Sequence, residues 1–154
     1  MRTFFLYLYQ YNDYMRFADI PGLKDEKRRL IDFFESDKIH HALLLFGLEG
    51  SANLPLALSF ATYLNCENRV GNDSCGECSS CNKMKKLIHP DLHLIFPVAP
   101  SPKITKEVVS DKYVESWRMC FQENPYMNVY DWFENCGIEN KQPNISKDEA
   151  RNII

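Results

Sequence analysis

Four cysteines, Cys66, Cys75, Cys78 and Cys81, crowd into one short stretch in the pattern C-x8-C-x2-C-x2-C. Thiolates at such spacing ligate metal: a tetrahedral zinc ion takes four sulfurs at about 2.3 Å, and C-x2-C turns present two of them without strain. Gly76, directly after Cys75, suits the tight turn between two ligands because it accepts backbone angles that other residues avoid. A redox dithiol needs one C-x2-C, whereas here two such units share Cys78. The spacing therefore points to a structural Zn2+ site, with an iron–sulfur cluster as the alternative four-thiolate arrangement. Four protein ligands close the shell, so no open position for a reactive water is expected. Cys120 and Cys136 lie on apolar stripes instead and read as small core residues.

The second chemical candidate is the glycine loop "GLEGSANLPLA", which follows an apolar run and opens a helical pattern. That order is the local architecture of a phosphate-binding loop, G-x4-G-K-[ST]. Gly47 matches the first glycine, but Ala52 stands at the second, Asn53 at the lysine and Leu54 at the hydroxyl position. Asn53 sets no positive charge against phosphates, Leu54 cannot ligate magnesium, and Ala52 puts a methyl where backbone must approach phosphate. Gly47, Gly50, Ser51, Ala52 and Asn53 are thus the cofactor-loop residues of a loop expected to be non-functional, and ATP is not an expected cofactor. A plain strand-to-helix turn with no nucleotide is the commoner reading of such a lone glycine pair. Asp25-Glu26 and Asp148-Glu149 sit in polar helix starts, so no catalytic residue is assigned.

These candidates need a frame. Pro21-Gly22 marks a turn, and Leu23, Leu30, Ile31 and Phe34 fall at helical spacing, which predicts a helix over 24–36. "ALLLFG", residues 42–47, is a continuous apolar run suited to a strand buried on both faces of a parallel sheet. From Leu54 the positions Leu54, Ala57, Leu58, Ala61 and Leu64 predict a helix ending at Cys66, with Pro55 confined to its first turn. A short basic helix is expected over 82–88 and a second strand over 92–98. Helical stripes follow at Tyr113, Val114, Trp117, Cys120 and Phe121, and at Val129, Trp132 and Phe133. Ser146 with Glu149 has the pattern of a capping box. Strand, glycine loop and helix in that order imply an α/β fold: a parallel sheet flanked by helices, with a four-cysteine insertion.

Other polar features have ordinary explanations. "HPDLH" reads as a turn at Pro90-Asp91 leading into a strand, with ligation by His89 and His93 the lesser alternative. His40 and His41 precede the apolar run and are expected to pack at its mouth in preference to a catalytic role. Lys83 to Lys86 form a solvated face that could meet a phosphate or an acidic partner. The aromatic residues Trp117, Tyr126, Tyr130, Trp132 and Phe133 sit at helical spacing and read as core or interface, not as base-stacking platforms.

At 154 residues, 45% hydrophobic and 25% charged, the chain can bury one ordinary core. A net charge of −3 argues against a free-standing nucleic-acid binder, since counterion release needs a basic face. The apolar run near the start, Phe4 to Tyr9, is too short for a membrane span and lacks a signal-peptide cleavage site. A reducing cytoplasm is therefore expected, where clustered cysteines bind metal more often than they form disulfides.

Together, "FADIPG", "IHHALLLFG", the degenerate loop, "ATYLNCEN", the four cysteines and "IHPDLHLIFPV" resemble the amino-terminal part of the bacterial clamp-loader subunits of DNA polymerase III. In that family a zinc module is inserted after the phosphate-loop helix of an AAA+ (P-loop NTPase-like) domain. The resemblance implies a partial AAA+ domain over 15–154 with its zinc module at 66–81, cut short at its carboxy terminus, and a leader over 1–14 that is not native. The degenerate loop is similar to the stationary delta-prime type, not the ATP-hydrolysing gamma/tau type. Implied partners are the gamma/tau and delta subunits, and through the assembled ring the sliding clamp and primed DNA, with no membrane. The Ser-Arg-Cys motif by which that type completes a neighbour's site is absent from this sequence. An ATP-binding gamma/tau-type subunit, or an unrelated zinc-binding interaction domain, are the alternatives.

Overall fold

Helix formation accounts for nearly all the regular structure. The computed structural model of the protein describes residues 15–36 and 41–151, which leaves the proposed leader and His40 outside the described residues. Among the described residues six α-helices follow in order: α1 Lys24–Glu35, α2 Asn53–Asn65, α3 Ser79–Lys85, α4 Val114–Glu123, α5 Val129–Asn135 and α6 Lys147–Arg151. Two 3-10 turns, Phe17–Asp19 and Ser110–Lys112, join them. Among the described residues no helix is long and apolar enough to cross a membrane.

Helix α1 buries Leu30 and Ile31, as its spacing predicts, and starts after two left-handed residues, Gly22 (φ 71°) and Leu23 (φ 52°). For leucine that conformation costs about 1–2 kcal/mol, and the half-buried Leu23 side chain packs against the core that α1 covers. Helix α2 places Pro55 in its first turn, where backbone N–H groups have no intrahelical acceptor. Its most buried residues are Pro55, Leu56, Leu58, Ser59, Phe60, Thr62 and Tyr63, on more faces than the predicted stripe, which includes the half-buried Ala57 and Ala61. Helix α3 begins earlier than the basic pattern predicts because Cys78 caps it, its sulfur accepting from the Cys81 N–H at 3.4 Å.

Two apolar clusters result, and α2 contributes to both. Leu56, Phe60 and Tyr63 meet Phe17, Ile20, Leu30 and Ile31 on one side. Leu58 joins Met15, Leu87, Phe96, Val98, Trp117, Phe121 and Trp132 on the other. The second cluster is an aromatic stack: Phe96 lies 5.5 Å from Trp117 and 4.9 Å from Trp132, and Trp117 lies 5.5 Å from Phe121 with the rings parallel. The Trp132 indole donates to the Pro97 carbonyl at 2.9 Å. Trp117 and Trp132 are therefore core, as read from their spacing, while Tyr130 is 65% exposed.

The expected parallel sheet is not formed among the described residues; β pairing is confined to two isolated bridges, Val70 with Asp73 and Val98 with Asn144. Residues 42–48 are without regular structure, and no backbone hydrogen bond joins 42–47 to another described residue. Leu43 and Leu45 pack on the α1–α2 cluster, whereas Leu44 and Phe46 are 89% and 91% exposed. The run is thus buried on one face, not two. The physical reason is that a strand is stable only with a neighbour to take its N–H and C=O groups. The segment 92–98 lacks a ladder as well. There the Ser110 hydroxyl substitutes, accepting from the Phe96 N–H and donating to the Phe96 carbonyl, both at 3.1 Å.

The aromatic stack sets a stability prediction. Trp117→Ala removes the ring that bridges Phe96 and Phe121 and is expected to lower unfolding free energy by about 3–5 kcal/mol. Tyr130→Ala, at an exposed position, should change it by no more than about 0.5 kcal/mol. Urea unfolding followed by tryptophan fluorescence for Tyr130→Ala, and by far-UV circular dichroism for Trp117→Ala, checks both.

Candidate metal centre and glycine loop

Helix α2 ends where the first cysteine begins. Cys66 is its C-cap, in an extended conformation, with its N–H on the Tyr63 carbonyl at 3.4 Å. The chain turns back through Gly71, with Val70 and Asp73 exchanging backbone hydrogen bonds of 3.0 and 3.3 Å. Cys75 follows, then Gly76 at φ 75°, where the turn requires a left-handed residue and a Cβ would stand 3.0 Å from the Arg16 side chain. Cys78 and Cys81 lie at the cap and in the first turn of α3. All four sulfurs fall within 4.8 Å of one another, and no other group of three or more such ligand residues converges among the described residues.

The donor set fits a tetrahedral ion. Sulfurs about 2.3 Å from zinc lie about 3.8 Å apart along the tetrahedron's edges, and Cys66 to Cys75 is 3.6 Å and Cys75 to Cys81 is 3.9 Å. Backbone N–H groups point at the sulfurs: Cys75 N–H to Cys66 at 3.3 Å, and Glu77 and Cys78 N–H to Cys75 at 3.5 and 3.3 Å. Those two donors, from Glu77 and then Cys78, draw the Cys75 thiol down to about 6. Burial pushes Cys66 and Cys81 upward, so these two favour the neutral thiol until a cation offsets their desolvation.

Two side chains that the sequence did not single out hold this loop in place. The Asp73 carboxylate accepts from the Phe17 and Ala18 N–H groups at 3.0 and 2.8 Å, fastening the loop to the turn 55 residues earlier. Arg69 donates to the Tyr63 and Leu64 carbonyls at 2.7 and 2.6 Å, capping α2, and lies 4.3 Å over the Phe34 ring. His89 is partnered by the Ser80 hydroxyl at 3.0 Å, and Leu92 N–H on His89 O closes the expected Pro90-Asp91 turn. Neither His89 nor His93 joins the cysteines.

The glycine loop turns at Leu48–Ser51, with Ser51 N–H on Leu48 O at 3.1 Å, and delivers Asn53 to the start of α2. Ala52, the N-cap, makes no side-chain hydrogen bond. Gly47, Ser51 and Asn53 come together: a Cβ on Gly47 would lie 2.6 and 2.8 Å from the Asn53 amide atoms and 2.8 Å from Ser51 Oγ. Gly50 stands apart at φ 72°. Gly47, Ser51 and Asn53 themselves line a cavity of about 530 Å³, together with Leu30, Phe33, Leu43 and Leu45.

Residues 22–153 match the protein family described as DNA polymerase III, delta subunit. The chain belongs to this family. Among curated relatives it is 36% identical over 89 residues to the DNA polymerase III subunit delta' of Yersinia pestis, an alignment that covers 58% of this chain and 26% of that protein. It is 32% identical over 77 residues to the delta' subunit of Escherichia coli strain K12, covering 50% and 23%. A gamma subunit, from Buchnera aphidicola of Acyrthosiphon pisum, is 34% identical over 70 residues, covering 46% and 19%. The chain spans about a quarter of the length of the delta' relatives it matches. No solved structure matches it. The resemblance read from the sequence is thus borne out, and an unrelated interaction domain does not fit. The family match takes in both the glycine loop and the four cysteines of this delta-family chain.

Cys78→Ser removes one of the four sulfurs while keeping a side-chain acceptor at the cap of α3, and is expected to lower bound metal well below one ion per chain and to destabilise the fold. Cys120→Ser, in the aromatic core, is expected to leave the metal count unchanged. Atomic emission on gel-filtered protein reads both.

Proposed function

We propose that this delta-family chain is a non-catalytic, delta-prime-type subunit of the bacterial clamp loader of DNA polymerase III. In this reading it is the stationary member of a ring shared with gamma/tau and delta subunits, and the ring sets the sliding clamp on primed DNA in the cytoplasm. Its AAA+ domain carries a zinc module at 66–81, and its degenerate loop does no hydrolysis. Zinc held by Cys66, Cys75, Cys78 and Cys81 would supply a cross-link between the end of α2 and the start of α3, not reactivity, because four thiolates close its shell. The net charge of −3 supports contact with DNA through the assembly over direct binding.

The observation that carries the reading is Asn53. At the position where a phosphate loop places its lysine, this chain has a neutral amide that folds over Gly47. The similarity to a gamma subunit keeps a second reading in play, an ATP-binding subunit of gamma/tau type. Titrating the metal-loaded chain with magnesium-ATP in a calorimeter separates the two. The delta-prime reading expects no saturable heat at millimolar nucleotide, and micromolar binding would favour the gamma/tau type.

A further inference from the structure

The chain from Met15 to Ile20 belongs to both apolar clusters at once. Met15 lies in the aromatic one, Phe17 and Ile20 lie in the one that α1 covers, and all three are buried. The regular structure in this stretch is a single 3-10 turn, Phe17–Asp19, too short to hold such a position by its own backbone bonds. The turn closes through Asp19, whose carboxylate accepts from the Arg16 N–H at 3.0 Å and pairs with the Arg16 guanidinium at 3.0 Å. That closure leaves the N–H groups of Phe17 and Ala18, the first two of the turn, to find acceptors outside it. Asp73 supplies both: Oδ1 accepts from Phe17 at 3.0 Å and Oδ2 from Ala18 at 2.8 Å, while Oδ1 also accepts from the Ser74 N–H at 2.8 Å. One carboxylate thus takes three backbone donors, two from the turn and one from the residue next to Cys75. Such charge-assisted bonds are about twice as strong as neutral ones. On its other flank the turn is held by Lys27 of α1, whose ammonium donates to the Ile20 carbonyl.

We propose that the four-cysteine centre and the Arg16–Ile20 turn form one coupled unit, with Asp73 as the positioning residue between them. Asp73 stands two residues before Cys75, in a loop whose β pairing is the single Val70–Asp73 bridge. Its place is fixed from two sides, by the turn at Phe17 and Ala18 and by the converging sulfurs. Across the same junction the Arg16 side chain lies against Gly76. Sulfurs drawn together on a metal ion hold Asp73, Asp73 holds the turn, and the turn keeps Met15, Phe17 and Ile20 in the two clusters. The inference rests on the proposed metal site and carries it beyond a local cross-link between α2 and α3. Such coupling is reciprocal: the turn that holds Asp73 raises metal affinity, and metal on the sulfurs protects the turn. Loss of the metal releases apolar residues from both clusters, so the centre works as a metal-dependent latch on residues 15–20.

Zinc affinity is measured by competition with a chelator, and amide hydrogen exchange is followed in the zinc-loaded and zinc-stripped chain. Asp73→Asn keeps the side chain's size but turns an amide NH2 toward a backbone donor, and is expected to weaken zinc binding at least about tenfold, as for residues that orient metal ligands. Asp19→Asn loosens the turn from within, since the hydrogen bonds of Asp19 go to Arg16, and is expected to weaken zinc binding about fivefold or more. Glu77→Gln removes the same charge from an exposed position of the same loop and is expected to leave the affinity unchanged. In the wild type, stripping zinc is expected to remove protection from the Phe17 and Ala18 amides while the middle of α4 keeps its own. A wild type that binds no zinc overturns the metal site and the latch together. Zinc binding that neither Asp73→Asn nor Asp19→Asn weakens overturns the latch and leaves the metal site standing. Equal weakening by Glu77→Gln assigns the effect to charge and overturns the latch as well. So does protection at Phe17 and Ala18 that survives zinc removal, or a loss that runs equally through α4, since the metal then supports the whole fold. Should Asp73→Asn fail to fold, Asp19→Asn and the wild-type exchange decide.

Discussion

Burial of α2 on nearly all its faces is the constraint on which the rest of the structure depends. A helix apolar all round has to be enclosed, and here two separate clusters enclose it, one through Leu56, Phe60 and Tyr63 and one through Leu58. Its two ends are the two candidate sites. Asn53 is its first residue in the glycine loop, and Cys66 caps its last turn. Thirteen residues of helix hold the two about 20 Å apart, as the ends of one rod whose position the core fixes. Arg69 tightens the far end further, because it covers the last carbonyls of α2 while its guanidinium lies on Phe34, which belongs to α1.

With no sheet among the described residues, long-range cohesion passes to side chains that bond to backbone. Asp73 takes two N–H groups of the Phe17–Asp19 turn. Ser110 serves both the N–H and the C=O of Phe96, and Glu149 in turn accepts from the Ser110 N–H at 2.8 Å, a contact spanning 39 residues. Each does in one place what a β ladder does along a strand. Buried, such bonds matter less for the net stability each adds than for the penalty of leaving the backbone group unpaired. The arrangement is not fully satisfied, since Glu149 Oε2 is buried without a partner among the described residues.

The sequence disclosed what is local and missed what is not. The spacing of Leu30 and Ile31, the tolerated Pro55, the Ser146 cap that receives the Glu149 N–H at 3.1 Å, and the four clustered cysteines are all written within one or two helical turns or one loop. The sheet was inferred from the apolarity of 42–47, but a ladder belongs to two segments, and composition in one cannot supply the other. No alternation marks the two faces of that run either, for Leu43 and Leu45 pack inward while the equally apolar Leu44 and Phe46 face out. Asp73 and Arg69 were invisible for a different reason. A charged residue in a loop looks the same in sequence whether it is solvated or caps backbone distant from it.

Pro55 bears on what the start of α2 offers an anion. The start of a helix exposes N–H groups that in a phosphate loop find their partner in the bound anion. Here Ala52 offers no capping oxygen, which costs about 1 kcal/mol relative to a serine or asparagine at that position. Proline at the third helical residue has no N–H, so one orphan donor is missing from the outset. The proline that spares the helix start an unsatisfied group also deprives an incoming anion of a hydrogen bond. An anion arriving at this helix start meets one donor fewer, and that follows from where the proline sits.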